Sequence, residues 1–209
     1  MAEQAWIDRA VALIDVRRLS DARAALDRAR EVAVVTRRPQ SPSLAVTERR
    51  WLVASGRASE ALATFDAART AKKLPPMPTG GEPLADQIES AWLRLEAGDP
   101  AAAAVAAAQA LGVIERGGIV DYQRDHEAQA TLVLGKALLA QHRERESLPV
   151  LDRAVAQYRA LYAPQAPALV GALRVQAEAH AHAVGHPTEA AAVTRMQPLV
   201  ATADRRAGG

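Results

Sequence analysis

The 209-residue chain has no cysteine and no asparagine, and aromatic residues make up only 3% of it. Without cysteine there can be no disulfide, thiol nucleophile or thiolate metal ligand. Lysine is nearly absent as well, occurring only at 72, 73 and 136, so the basic residues are almost all arginine. Neither sign of charge dominates: 26 basic residues face 24 acidic ones, for a net charge of +2. The two signs interleave along the chain, whereas a nucleic-acid binder gathers one sign into a stripe or patch. No apolar run approaches the ~20 residues that a membrane span needs. The first eight residues lack the basic and apolar regions of a secretion signal. A soluble, cytoplasmic protein that binds neither nucleic acid nor membrane is the expectation.

Alanine is what the chain has in excess, with 49 copies, and arginine follows. That bias, with so little lysine and asparagine, is the mark of a GC-rich bacterial genome. No segment alternates apolar and polar residues long enough for a strand. Apolar positions recur instead at intervals of three and four, the period of a helix face. Trp6, Ala10 and Leu13 track one such face, and Ala22, Ala25, Leu26, Ala29 and Ala33 the next. The chain reads as all-α.

Breakers punctuate this pattern. Pro39 and Pro42, the proline-rich loop 75–83, Gly117 with Gly118, and the prolines at 164 and 167 divide the chain into five blocks. Proline cannot sit inside a helix without losing a hydrogen bond and clashing with the preceding turn. The blocks span about residues 3–37, 42–74, 84–116, 121–161 and 167–203, with a flexible tail at 204–209. Each has a turn near its middle, at 16–21, 55–59, 97–100, 141–145 and 184–188. Glycine takes a left-handed helix end cheaply, and Ser, Thr or Asp then caps the next helix. Five helical hairpins, ten helices, is the expected count. A small residue opens each second helix, at Ala22, Ala61, Ala103 or Ala104, Ser147 and Ala190. A period of about 40 residues in a helical chain signals a solenoid, in which hairpins stack to cover their apolar faces.

These blocks resemble tetratricopeptide (TPR) repeats. The fourth carries the pattern best, with Leu134-Gly135 and Leu138, then Ser147, Leu151 and Ala154. The second block gives Gly56, Ala58, Ala61, Phe65 and Ala68; the third gives Ile88, Ala91, Trp92 and Leu95. His142 stands where the family has its turn glycine, and Thr131 where it has a large residue. The fifth block departs at Thr194 and Gln197. The long period is similar to that of kinesin light chains and of many bacterial regulators. The resemblance implies a right-handed superhelix, an α-solenoid forming one domain over 1–203, with a concave groove lined by the first helix of each hairpin. Carried over residue by residue, the groove positions are Val11 and Ile14 in the first block and Ser43, Val46 and Arg50 in the second. They are Glu89 and Leu93 in the third block, and Gln129, Leu132, Lys136 and Leu139 in the fourth. Val175, Ala179 and His182 follow in the fifth. The chaperone-binding members grip a terminal carboxylate with Asn and Lys, and this chain lacks the Asn.

Chemistry-bearing motifs are missing. There is no Gly-x-Ser-x-Gly elbow and no glycine-rich phosphate loop. His180, His182 and His186 cluster, but without a carboxylate close by to complete a ligand set they read as solvated, not as a metal site. Trp6, Trp51 and Trp92 read as core fillers. No catalytic residue, cofactor or metal is expected. The reading is a non-catalytic scaffold that holds a peptide or partner helix in the groove. The alternatives are a regulatory module of a larger bacterial kinase or transcription regulator, and a small-molecule pocket inside a closed superhelix.

Overall fold

A computed structural model describes residues 2–36, 41–71, 83–117 and 124–184. Nine helices and no strand occur among them. They are α1 (Ala2–Asp15), α2 (Leu19–Val35), α3 (Pro42–Ala54), α4 (Ala58–Ala71), α5 (Leu84–Glu96), α6 (Pro100–Gly117), α7 (Arg124–Ala140), α8 (Glu144–Leu161) and α9 (Pro167–Val184). The first four blocks are therefore helical hairpins, and the fifth contributes its first helix. Its second helix, expected before residue 203, and the tail at 204–209 lie outside the described residues, as does most of the loop at 75–83. The chain divides into two compact units, Met1–Pro76 and Met77–Gly209, parted within that proline-rich loop.

The four hairpin turns are built alike. Each has three residues, and the middle one has a positive φ: Arg17 at 62°, Gly56 at 76°, Gly98 at 88° and His142 at 57°. In each, the third turn residue returns its amide to a carbonyl five residues back. Arg18 reaches Leu13, Arg57 reaches Leu52, Asp99 reaches Arg94 and Arg143 reaches Leu138, all at 2.8–3.0 Å. These bonds satisfy the last carbonyls of the first helix. Only Asp99 supplies the expected side-chain cap, accepting from the Ala102 amide at 2.9 Å. Arginine precedes the second helix in the other three, reaching forward to a carboxylate: Arg18 to Asp21, Arg57 to Glu60 and Arg143 to Glu146.

Two turns thus hold a side chain where glycine would be unstrained. An L-residue in the left-handed region costs about 1–2 kcal/mol. Glycine relieves that but gains freedom when unfolded, which takes back about 0.4–1 kcal/mol. The His142 side chain is 88% exposed, so little packing is at stake. His142→Gly is expected to stabilise the protein by about 0.5–1 kcal/mol, read as a higher urea midpoint with an unchanged slope.

One register serves all four hairpins. The residue five before the end of the first helix crosses the second helix at the third residue after its start. At these positions stand Ala10 and Ala22, Ala91 and Ala103, and Gly135 and Ser147, all buried. Small side chains let the axes approach closely. The approach is tightest in the fourth hairpin, where a Cβ built on Gly135 would lie 2.5 Å from Leu151 Cδ2. There the Ser147 hydroxyl also donates to the Gly135 carbonyl at 2.9 Å. The second hairpin breaks the rule: Arg49 stands at the crossing opposite Ala61, its guanidinium 5.4 Å from the Phe65 ring centroid. The α3–α4 pair is accordingly the least closely packed of the four.

The core follows from this register. In the first unit Ile7, Ala10, Ala25, Leu26, Ala29 and Leu44 form one cluster, against which Trp6, Leu13 and Trp51 lean. In the second, alanine-rich α6 carries Ala106, Ala107, Ala110, Leu111 and Ile114 between α5 and α7. Val155, Tyr158, Leu169 and Ala172 join α8 to α9, with Ala128 of α7.

Candidate binding faces

Helix α7 is packed on almost every side. Eight of its residues are buried, from Glu127 to Leu138. Asp125, Gln129, Leu132, Lys136 and Leu139 stay half-exposed, and their spacing of four, three, four and three puts them on one stripe of the helix. This is the stripe that the repeat positions mark in the fourth block. Lys136 reaches back to Glu96, the last residue of α5, with Nζ 3.1 Å from the carboxylate. In the first unit Arg50 of α3 reaches Asp15, the last residue of α1, at 3.5 Å. Arg50 and Lys136 each lie four residues before the end of their helix. The two units therefore carry the same ionic link, in the same register, between successive first helices. Such exposed pairs are worth about 0.2–1 kcal/mol each. Both cations also retain N–H groups facing solvent, since both side chains remain a third or more exposed.

The other expected groove residues divide. Val46 and His182 are exposed, and Val11, Glu89 and Val175 are half-buried. Ser43 is exposed as well. Three point inward instead. Leu93 is fully buried at 0% and Ala179 at 0%, and Ile14 keeps only 7%. They are core residues, and no partner touches them while the helices stay packed. On α5 the open stripe runs one residue to the side, through Glu89 and Glu96, with half-buried Trp92 between them. Sequence spacing alone allows either choice, because three and four alternate along a helix face.

A second polar cluster ties the joint after α8. Tyr162 donates its hydroxyl to Asp125 Oδ1. Gln129 Nε2 donates to the other oxygen at 2.5 Å. The Tyr162 ring stacks on Tyr158 with centroids 5.7 Å apart. The bond to Asp125, helped by burial and the carboxylate charge, pushes the Tyr162 phenol up to about 12. Burial, then the Asp125 charge, raises Tyr158 too. The folded state therefore holds these protons more tightly than the unfolded chain, whose tyrosines titrate near ~10. Their contribution is complete below pH ~10 and is lost as pH rises toward 12. The urea midpoint is expected to fall over that interval, and to fall less in Tyr162→Phe.

The tryptophans lie against the cores, as core fillers should. Trp51 does more: its indole Nε1 donates to the Leu19 carbonyl at 2.8 Å, and its ring carries Arg23 and Arg57 at 5.1 and 5.7 Å. Beside it, α2, α3 and α4 line a cavity of about 600 Å³ that is open to solvent. This cavity was not foreseen from sequence. Of the histidines, His180 approaches Asp152 at 3.7 Å, while His186 lies outside the described residues. No three metal-ligating side chains converge among the described residues. No helix there is long and apolar enough to cross a membrane.

No protein-family model matches the chain, and no curated protein matches it in sequence. Solved structures do match in fold. The TPR-like repeats of a putative kinesin light chain of Podosopora anserina superpose with a TM-score of 0.52 at 18% identity, over 97% of this chain and 96% of that one. A single-site variant of the same repeats gives 0.53 at 17%, with the same coverage. PlcR of Bacillus thuringiensis, solved in complex with the peptide PapR7 and DNA, gives 0.63 at 12% identity, over 99% of this chain and 74% of that one. The fold is that of TPR-like helical repeats, a stacked α-solenoid architecture.

Proposed function

We propose that this protein is a non-catalytic interaction scaffold that holds a peptide or partner helix on the open stripes of its first helices. The observation that carries the reading is the stripe on α7. A helix buried on its other sides keeps Gln129, Leu132, Lys136 and Leu139 accessible in a row, apolar and polar mixed. Such a row suits an amphipathic segment, whose apolar anchors seat on the leucines while its acidic groups meet Lys136. Arg50, Val46 and Val11 offer the same mixture in the first unit, and Glu89 and Val175 flank α7 in the second. The charges there are already balanced within the chain, so a partner gains specificity and orientation from them more than raw affinity. A photo-crosslinking residue at Gln129 or Glu89 is expected to capture one protein from the native lysate. The same residue at the exposed Asp152 of α8 should not. Equal capture from Asp152 would remove the stripe assignment.

A second reading is a regulatory repeat module of a larger bacterial protein. PlcR favours it: that protein is longer than the match, and it binds both a peptide and DNA. An effector domain encoded in frame beside this chain would support it.

A further inference from the structure

We propose that the cavity between α2, α3 and α4 binds an acidic peptide segment, at a site separate from the open stripes. On α3 the cavity is lined by Ala45, Glu48, Arg49, Trp51 and Leu52. At 100° per residue all of these but Trp51 lie on the far side of the helix from Ser43, Val46 and Arg50, and Trp51 lies at the cavity's edge. The reason for the cavity lies in the hairpin register. Where the fourth hairpin has Gly135 and closes onto Leu151, the second has Arg49 against Phe65, and the two helices stay less closely packed.

The lining carries four guanidiniums, of Arg23, Arg30, Arg49 and Arg57, against two carboxylates, of Glu48 and Glu60, and Arg30 is already held by Glu48 at 2.5 Å and by Asp27 at 3.2 Å. Arg23 gives its Nε and Nη2 to Asp27, and Arg57 gives its Nε and Nη2 to Glu60. Each guanidinium has five N–H donors, so the Nη1 end of both is left for a ligand. Both lie against the Trp51 indole, 5.1 and 5.7 Å from its centroid, and stacking on an aromatic costs a guanidinium none of its hydrogen bonds. Two fixed forks suit two carboxylates, each of which accepts a bidentate pair. Shape points the same way. On α4 the lining runs from Glu60 to Ala68, with Arg57 in the turn before it. That is about 16 Å at ~1.5 Å per residue, the span of about five extended residues.

The test is a titration of the full chain with a blocked hexapeptide of alternating glutamate and aspartate, beside its glutamine–asparagine counterpart. The acidic peptide should bind, and binding should weaken with salt. In the wild-type protein it should shift the indole N–H resonance of Trp51 and leave those of Trp6 and Trp92 in place. Arg23→Gln with Arg57→Gln should cost at least about tenfold in affinity while the circular dichroism is unchanged. Arg50→Gln with Lys136→Gln should cost nothing. The proposal falls if no binding appears at millimolar peptide, if the Trp51 resonance stays in place, or if Arg50→Gln with Lys136→Gln abolishes binding. It falls also if free glutarate competes as well as the peptide, which would make this a small-dicarboxylate site. Because the stripe variants form a separate arm, failure here leaves the scaffold reading standing, and failure of that reading leaves this one.

Discussion

Leu93→Ala destabilises the protein by about 2–5 kcal/mol, the range for truncating a buried leucine. The side chain is 0% exposed, in a helix that packs on both α6 and α7. Its loss removes apolar burial and leaves a void that the surrounding structure only partly fills. Urea denaturation followed by circular dichroism reads the effect as a lower midpoint. The position was expected in the groove from its place in the repeat. A groove residue truncated to alanine would leave the midpoint within about 0.5 kcal/mol of wild type and weaken only a partner. The two outcomes are far apart, so the measurement decides which side of α5 faces inward.

Gly135→Leu is the second large effect, about 3 kcal/mol or more, at the upper end for overpacking a filled core. Even the Cβ would meet Leu151 Cγ at 2.7 Å and Cδ2 at 2.5 Å. Leucine prefers a helix to glycine by somewhat under ~1 kcal/mol, which offsets a minor part of the clash. The Ser147 bond to the Gly135 carbonyl stretches as α7 and α8 move apart, and a buried hydroxyl then loses its partner. Gly135→Leu with Leu151→Ala tests the cause. The double variant should be less unstable than the sum of its singles by about 1 kcal/mol or more, since the second change removes what the first collides with. A strictly additive pair would show that the crossing is not where the cost arises.

Much of this architecture was legible in the sequence, because two cues were independent of tertiary context. Proline and glycine breaks set block edges and turns: Pro42 and Pro167 open the first helix of a block, and Pro100 opens a second helix. Small residues at a forty-odd interval marked the crossings, and the structure selects Ala103 over Ala104 by burying the former completely. Three things were not legible. The first is the face of α5, where a shift of one residue exchanges Leu93 for Glu89, Trp92 and Glu96. Next are the left-handed turns at Arg17 and His142, where turn length, fixed by both helices, overrides the side-chain preference. Last is the cavity. Its signal was present, since Arg49 occupies the position held by Gly135, but only alignment of the hairpins by their turns makes the two comparable. The joint after α8 was partly legible: its prolines were seen, and the Tyr162–Asp125 bond was not.

The equal turns have a consequence for how the chain could be rebuilt. Each hairpin turns in its middle through a three-residue corner of one shape, and each presents a crossing at the same count from that corner. The hairpins are therefore exchangeable cassettes as far as backbone geometry goes. A chimera in which residues 124–161 replace 42–71 should fold its graft, since the corner and the crossing both travel within it. It should also lose the arginine-lined hollow while keeping the basic link to Asp15, with Lys136 taking over from Arg50.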